Sequence, residues 1–327
     1  MLILVWKGGV LLMNKPLVIS PKERIGEIPE KIFLFRSCTG SMEYPGTESA
    51  VKEVLKKLGV EVIMDADQTC CSGYILTCSG FPPEPALAVT ARNLALVEQR
   101  YGLDTYMFCN GCFGYNTELA HILNHNPEYK KMSNQLISQW GYEYKNETRI
   151  IHVQELYYLL IDKIKELVIH PLNGLRVASH YGCHYLSQLY GVLDDGDLPT
   201  FHEEIYEALG GVPVFFKERR MCCGASVGRG FTHRESVVQP HLARKLDSAK
   251  EEGVELMTTV CPGCNVALDR EQKNLMDRGF GPYNIPVIDL AQLIGLCIGV
   301  PVEKLGFNAN TIPVDDILNR LGFGKGE

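Results

Sequence analysis

Ten of the twelve cysteines in this 327-residue chain fall into one pattern written twice. Cys38, Cys70, Cys71, Cys109 and Cys112 read C-x31-CC-x37-C-x2-C, and Cys183, Cys222, Cys223, Cys261 and Cys264 read C-x38-CC-x37-C-x2-C. The vicinal pairs and the CxxC pairs are offset by 152 residues, whereas the leading cysteines are offset by 145. A lone CxxC fits a redox dithiol, half a zinc site or chance. Two five-thiol sets in one register are hard to produce by accident, and they are not the pattern of scattered apolar thiols. The repeat therefore divides the chain into two similar halves, 29–170 and 171–327, a division its length also favours.

A composition of 46% hydrophobic and 22% charged residues is that of ordinary globular protein. The cysteine content lies far below the roughly 8–10% of disulfide-stapled secreted chains, and CC and CxxC pairs suit metal binding in a reducing, cytoplasmic compartment. A formal charge of −7, with no basic stripe to offset it, argues against a nucleic-acid partner. The opening stretch MLILVWKGGVLLM is apolar but carries Lys7 and falls short of the ~20 residues a membrane helix needs. It also lacks a clear signal-peptide cleavage site. Residues 1–28 are assigned no role.

Hydrophobic patterning places the cysteines at matching joints. KIFLF at 31–35 reads as a strand before Cys38, with Cys38 in the following loop. A helix over 47–58 stops at Gly59, and the strand VEVIM leads toward Cys70 and Cys71. A helix over 84–100 opened by Pro85 precedes the strand TYMF and Cys109, and 150–153 and 154–168 close the half as strand and helix. The second half repeats this order: LRVASH before Cys183, a helix near 200–209, VPVFF before Cys222, a helix near 235–252, ELMTTV before Cys261, then IPVID and a last helix. Alternating strands and helices predict an α/β fold of two Rossmann-like parallel-sheet halves. All five thiols of each half then gather at the carboxyl ends of the strands, with the two sets facing each other across a pseudo-twofold interface.

Structural zinc takes four ligands in a closed tetrahedron, so five thiols per half leave one over. Iron and sulfide account better for the set, although no ferredoxin-type C-x2-C-x2-C run is present. Zinc and metal-free thiol–disulfide chemistry stay as alternatives. No G-x-G-x-x-G follows a predicted strand, so no flavin or dinucleotide site is expected and electrons must come from a partner.

The repeated set is similar to the cysteine-rich CCG domain, and the surrounding words resemble the family of heterodisulfide reductase B subunits. They are SCTGSMEYPGTESA, TCCSG, ARNLALVE and CNGCFG in the first half, and SHYGCHYL, MCCGA and CPGCNVALD in the second. The likeness covers about residues 31–298. It implies two noncubane 4Fe-4S clusters, one on Cys38, Cys70, Cys71, Cys109 and Cys112, the other on Cys183, Cys222, Cys223, Cys261 and Cys264. It further implies reduction of the coenzyme M–coenzyme B disulfide in methanogenesis. The implied partners are a ferredoxin-like C subunit together with a flavoprotein A subunit, joined to a hydrogenase or formate dehydrogenase module. Ser72 departs from the CCG motif where Gly224 fits it, a change expected to alter hydrogen bonding to sulfur and not ligation. Related proteins of lactate, glycolate, fumarate-linked or sulfur-oxidising systems are the alternative, as is a non-catalytic relay or a zinc-stabilised assembly component.

Outside the sets, Cys78 and Cys297 are expected to be inert buried thiols, and His152 and His180 to be ordinary packing at strand ends. His184 beside Cys183 is a candidate proton donor to a departing thiolate, or a structural neighbour of the site. An anionic substrate needs cationic contacts. Arg229, His233 and Arg234 in the segment after Gly224 are candidates, against a loop of solvated charges.

Overall fold

The computed structural model describes residues 3–6, 9–12, 20–69, 82–186, 193, 195–225 and 233–323. Cys70, Cys71, Ser72, Cys78 and Arg229 lie outside them. Ten strands are present among these residues: β1 Ile3–Trp6, β2 Gly9–Leu12, β3 Lys31–Phe35, β4 Glu61–Ile63, β5 Thr105–Met107, β6 Ile150–His152, β7 Arg176–His180, β8 Val212–Pro213, β9 Leu256–Thr259 and β10 Val287–Asp289. β1 and β2 form an antiparallel pair, Ile3 opposite Leu12.

The other eight strands build two parallel four-stranded sheets, ordered β4-β3-β5-β6 and β8-β7-β9-β10. The order within each sheet is the same, second-first-third-fourth, so the duplication seen in the cysteines extends to the topology. Register is carried by Phe33 opposite Thr105 in one sheet and Val177 opposite Leu256 in the other. β3 and β7 bury four of five residues, as strands covered on both faces must.

The helices form where the apolar period dictates. Pro45–Lys57 buries Ala50, Val51, Val54 and Leu55 on one side, and Glu84–Arg100 begins with Pro85 in its first turn, where a missing N–H does no harm. Three expectations are modified. The segment VPVFF is a strand only at Val212–Pro213, because it lies at the sheet edge, Pro213 has no N–H to donate, and Phe215 turns 51% exposed. The helix near 235–252 starts as a wide π-type turn, Arg234–Val238, before the regular helix Gln239–Glu251 with Pro240 in its first turn. Cys38 and Cys183 do not sit in loops but open the short helices Cys38–Met42 and Cys183–Leu186.

Each half has its own sheet, yet the apolar interior is continuous across them. One cluster joins Ile32, Val54 and Leu55 to Leu293, Ile294 and Leu305; a second joins Met107 and Phe113 to Tyr185 and Leu268. Helix Leu290–Cys297 buries all eight residues and packs on Pro45–Lys57 of the first half. Near the start of the described chain, Ser20 caps the helix Pro21–Ile25 with a capping box, and Arg24 places Nε 2.8 Å from the buried carboxylate of Glu155. No helix among the described residues is long and apolar enough to cross a membrane.

Candidate metal centre

In a doubly wound sheet the crevice opens where the strand order reverses, here between β3 and β5 and between β7 and β9. Cys38 and Cys109 follow β3 and β5; Cys183 and Cys261 follow β7 and β9. The topology thus puts thiols on both sides of each crevice. Cys109 and Cys261 are extended residues that cap the helices Asn110–His125 and Pro262–Asn265, so each CxxC begins at a helix N-terminus.

The five sulfurs of the second half form a connected group. Cys183 Sγ lies 4.0 Å from Cys222 Sγ, Cys223 Sγ lies 3.3 Å from Cys264 Sγ, and hydrogen bonding links Cys222 to Cys223 and Cys264 to Cys261. In the first half the Cys109 and Cys112 thiols are linked by a hydrogen bond, and Cys38 is half-buried. The sets meet where Cys109 Sγ approaches Cys261 Sγ at 3.8 Å. These are equivalent residues of the repeat, and a residue touches its own counterpart only at a twofold-like axis. The surrounding packing obeys the same relation: Cys38–Met42 rests on Pro262–Asn265, and Cys183–Leu186 on Asn110–His125.

Two glycines are required by this closeness. Gly182, before Cys183, has φ +80°, and a Cβ there collides with Asn110, whose Nδ2 donates to Tyr181 O at 2.9 Å across the halves. Gly224, the glycine of the second CCG, also has φ +80°, and its Cβ would lie 2.6 Å from Val238 Cγ1. Its N–H donates to Cys222 Sγ at 3.4 Å. Ser72, its counterpart, lies outside the described residues.

Crowding decides the charge of the thiols. Cys222 is held well below the ordinary thiol range by hydrogen bonds from Cys183 and then Cys223, and Cys261 by Cys109 and Cys264. Their neighbours are pushed up, Cys109 by Cys112 and Cys261, Cys183 and Cys223 by Cys222, and Cys264 by Cys223. Packed sulfurs of this kind ionise together only beside a cation. His180 points the same way. Among the described residues neither of its ring nitrogens has a hydrogen-bond partner, and it forms with Cys223 and Cys264 a buried trio whose ligand atoms all lie within 4.8 Å of one another. Burial lowers it to about 3, so the ring is neutral with a free lone pair. The residues present fit a sulfur-bound metal group, and five thiols exceed a closed tetrahedral zinc site.

Of the remaining candidates, Arg229 lies outside the described residues. His184 is half-buried, its ring 5.2 Å from that of Tyr115 in the opposite half. His233 and Arg234 are exposed, and Arg234 is ion-paired with Glu271. Cys297 is fully buried in the helix Leu290–Cys297, its thiol pushed up to about 12 by burial. Sequence reasoning treated His180 as packing, although its place three residues before Cys183 was a usable signal. It missed Lys245 altogether. This lysine is fully buried, and its Nζ donates to the carbonyls of Glu218, Arg219 and Met221 just before Cys222.

Comparison with known proteins agrees with this geometry. The CCG family, a cysteine-rich domain, matches residues 32–115 and again 177–269. The B subunit of the ferredoxin/F(420)H(2)-dependent CoB-CoM heterodisulfide reductase of Methanosarcina acetivorans is 33% identical over 294 residues, 89% of this chain and 97% of the relative. A protein of Archaeoglobus profundus described as like the heterodisulfide reductase B subunit is 31% identical over 301 residues, 89% and 98% of the two chains. Among solved structures, a hypothetical protein from Helicobacter pylori superposes with a TM-score of 0.65 at 15% identity, over 88% of this chain and 53% of that one, a likeness of fold alone. With its twice-written cysteine set and this similarity along nearly its whole length, the chain belongs to the heterodisulfide reductase B-subunit family of duplicated CCG-domain proteins.

Proposed function

We propose that this chain is the catalytic iron–sulfur subunit of a CoB–CoM heterodisulfide reductase. The observation that carries the reading is the approach of Cys109 to Cys261, which joins two thiol sets into one centre. Residues 29–170 and 171–327 are the two CCG units. Cys38, Cys70, Cys71, Cys109 and Cys112 hold one noncubane 4Fe-4S cluster, and Cys183, Cys222, Cys223, Cys261 and Cys264 hold the other. When bound, such clusters supply single electrons and iron that takes up thiolate sulfur. The net reaction is disulfide plus two electrons and two protons giving two thiols.

The chain's own residues supply placement and protons. Cys109, Cys112, Cys223, Cys261 and Cys264 form a buried floor, while Cys38 and Cys183 stand toward the surface, on the side where substrate enters. His184 carries a proton to a departing thiolate. Arg229, His233 and Arg234 meet the sulfonate, phosphate and carboxylate groups of the substrate, and Arg234 exchanges Glu271 for it. Electrons arrive from a ferredoxin-like C subunit fed by a flavoprotein A subunit, coupled to a hydrogenase or formate dehydrogenase module. The test is oxidation of a reduced viologen dye by the CoM–CoB disulfide with anaerobically purified protein. Turnover supports the reading; iron-loaded protein that leaves the dye reduced contradicts it.

A further inference from the structure

The two thiol sets are alike in sequence, but the side chains that hold the residue before each vicinal pair are not. Under the 152-residue offset that relates Cys70 to Cys222 and Cys109 to Cys261, Asn93 corresponds to Lys245 and Thr69 to Met221. Asn93 and Lys245 sit mid-way along the equivalent helices Glu84–Arg100 and Gln239–Glu251, and both are fully buried. Each bonds the carbonyl immediately before its cysteine pair: Asn93 Nδ2 donates to Thr69 O at 3.2 Å, and Lys245 Nζ to Met221 O at 3.1 Å. The anchoring task is the same in both halves. The charge is not.

Asn93 Oδ1 accepts from Thr69 N and Thr69 Oγ1 at 3.1 and 3.0 Å, the work of a neutral amide, and also from the half-buried Arg92 Nη1 at 3.3 Å. Lys245 Nζ donates twice more, to Glu218 O at 2.9 Å and Arg219 O at 2.8 Å. Three carbonyl acceptors engage three N–H groups, and only the ammonium form has three. Burial pulls Lys245 down to about 7, a pull opposed by the charges of Cys223, Cys264 and Cys222. Glu218, the nearby carboxylate, is taken up by Arg244 through both Nε and Nη2. The second half thus carries a fully buried cation on the carbonyl before its CC pair, whereas the first half carries an amide on the matching carbonyl, with the cation bonded to that amide, Arg92, only half-buried.

We propose that Lys245 is a positioning residue that fixes the Cys222–Cys223 turn and, through its buried charge, makes the second cluster the more oxidising of the two, while Asn93 leaves the first the more reducing. This rests on the iron–sulfur reading above. A centre that gains an electron gains negative charge, and a fixed cation in a low-dielectric interior stabilises that charge more than a dipole does. The two faces of the site then differ in electron affinity although their ligand sets match.

The test is a redox titration of the anaerobic full chain followed by electron paramagnetic resonance, with iron and acid-labile sulfide assayed on every sample. Wild type shows two midpoint potentials. Lys245→Gln keeps amide donors and removes the charge; it lowers the more positive midpoint by about tenfold in the one-electron equilibrium, ~59 mV, and leaves the other in place. Lys245→Arg returns it toward the wild-type value. Asn93→Lys gives an independent check by raising the more negative midpoint. Both midpoints unchanged in iron-loaded Lys245→Gln, or the more negative one moving instead, overturns the inference and leaves the iron–sulfur reading standing; so does an unmoved midpoint in Asn93→Lys. Wild-type protein without iron overturns both.

Discussion

Cys109 and Cys261 stand 152 residues apart in sequence and 3.8 Å apart at sulfur, so the repeat meets itself at the centre of the site. Each belongs to a different set, and the sets are built on different sheets. On the iron–sulfur proposal, removing one inner cysteine is therefore expected to empty one set and spare the other. Cys264→Ser should lower iron content by about half, read by metal analysis of anaerobic protein; full retention or complete loss would contradict two separate sets.

Tyr44 and Asp269 tie the halves together beside that centre. Tyr44 Oη donates to Asp269 Oδ2 at 2.7 Å, and the same carboxylate accepts from Thr311 N at 2.6 Å and Ile312 N at 2.9 Å. Tyr44→Phe gives up one of these bonds and should cost about 1 kcal/mol, whereas Asp269→Ala strands three donors, two of them buried and Thr311 N partly so, and should cost about 3 kcal/mol. Denaturant unfolding of the two variants checks the ratio; equal losses would mean that Asp269 does not gather the three donors.

Gly182 has no room and the wrong backbone for a side chain. Gly182→Ala is expected to lose about 1–2 kcal/mol from the left-handed backbone alone, with more from displacing Asn110. Thermal unfolding measures this, and an unchanged midpoint temperature would contradict the contact.

Glu155 gives a pH signature. Burial raises its carboxyl to about 7 despite Arg24 at 2.8 Å, above the usual 4.5 of an unfolded chain. The folded state then binds the extra proton between those values, so this group's contribution to stability is greatest below about pH 4.5 and is lost as pH rises through about 7. Relative to Glu155→Gln, wild type should lose roughly 3 kcal/mol over that window and stay level above it. A difference independent of pH would show that Arg24 keeps the carboxylate ionised throughout.

The parts legible in the sequence were those written locally or by repetition. Strand β3 ahead of Cys38 and helix Glu84–Arg100 announced themselves by apolar period and Pro85, and the 152-residue offset carried the sheet order into both halves. Other features depend on partners far away in the chain. Tyr44 meets Asp269 from 225 residues off, and nothing near either residue marks the pair. Asn93 and Lys245 were aligned all along, but their shared carbonyl contacts appear only once the helices are packed. The shortness of β8 came from its edge position, which a run such as VPVFF does not reveal.

The central claim is tested most directly by electron paramagnetic resonance on anaerobically purified, oxidised protein with and without coenzyme M. A paramagnetic cluster signal that appears or shifts on adding the thiol is the predicted result, because it puts substrate sulfur at the metal held by these cysteines. A cluster signal indifferent to coenzyme M, or zinc without iron in protected protein, would contradict the account.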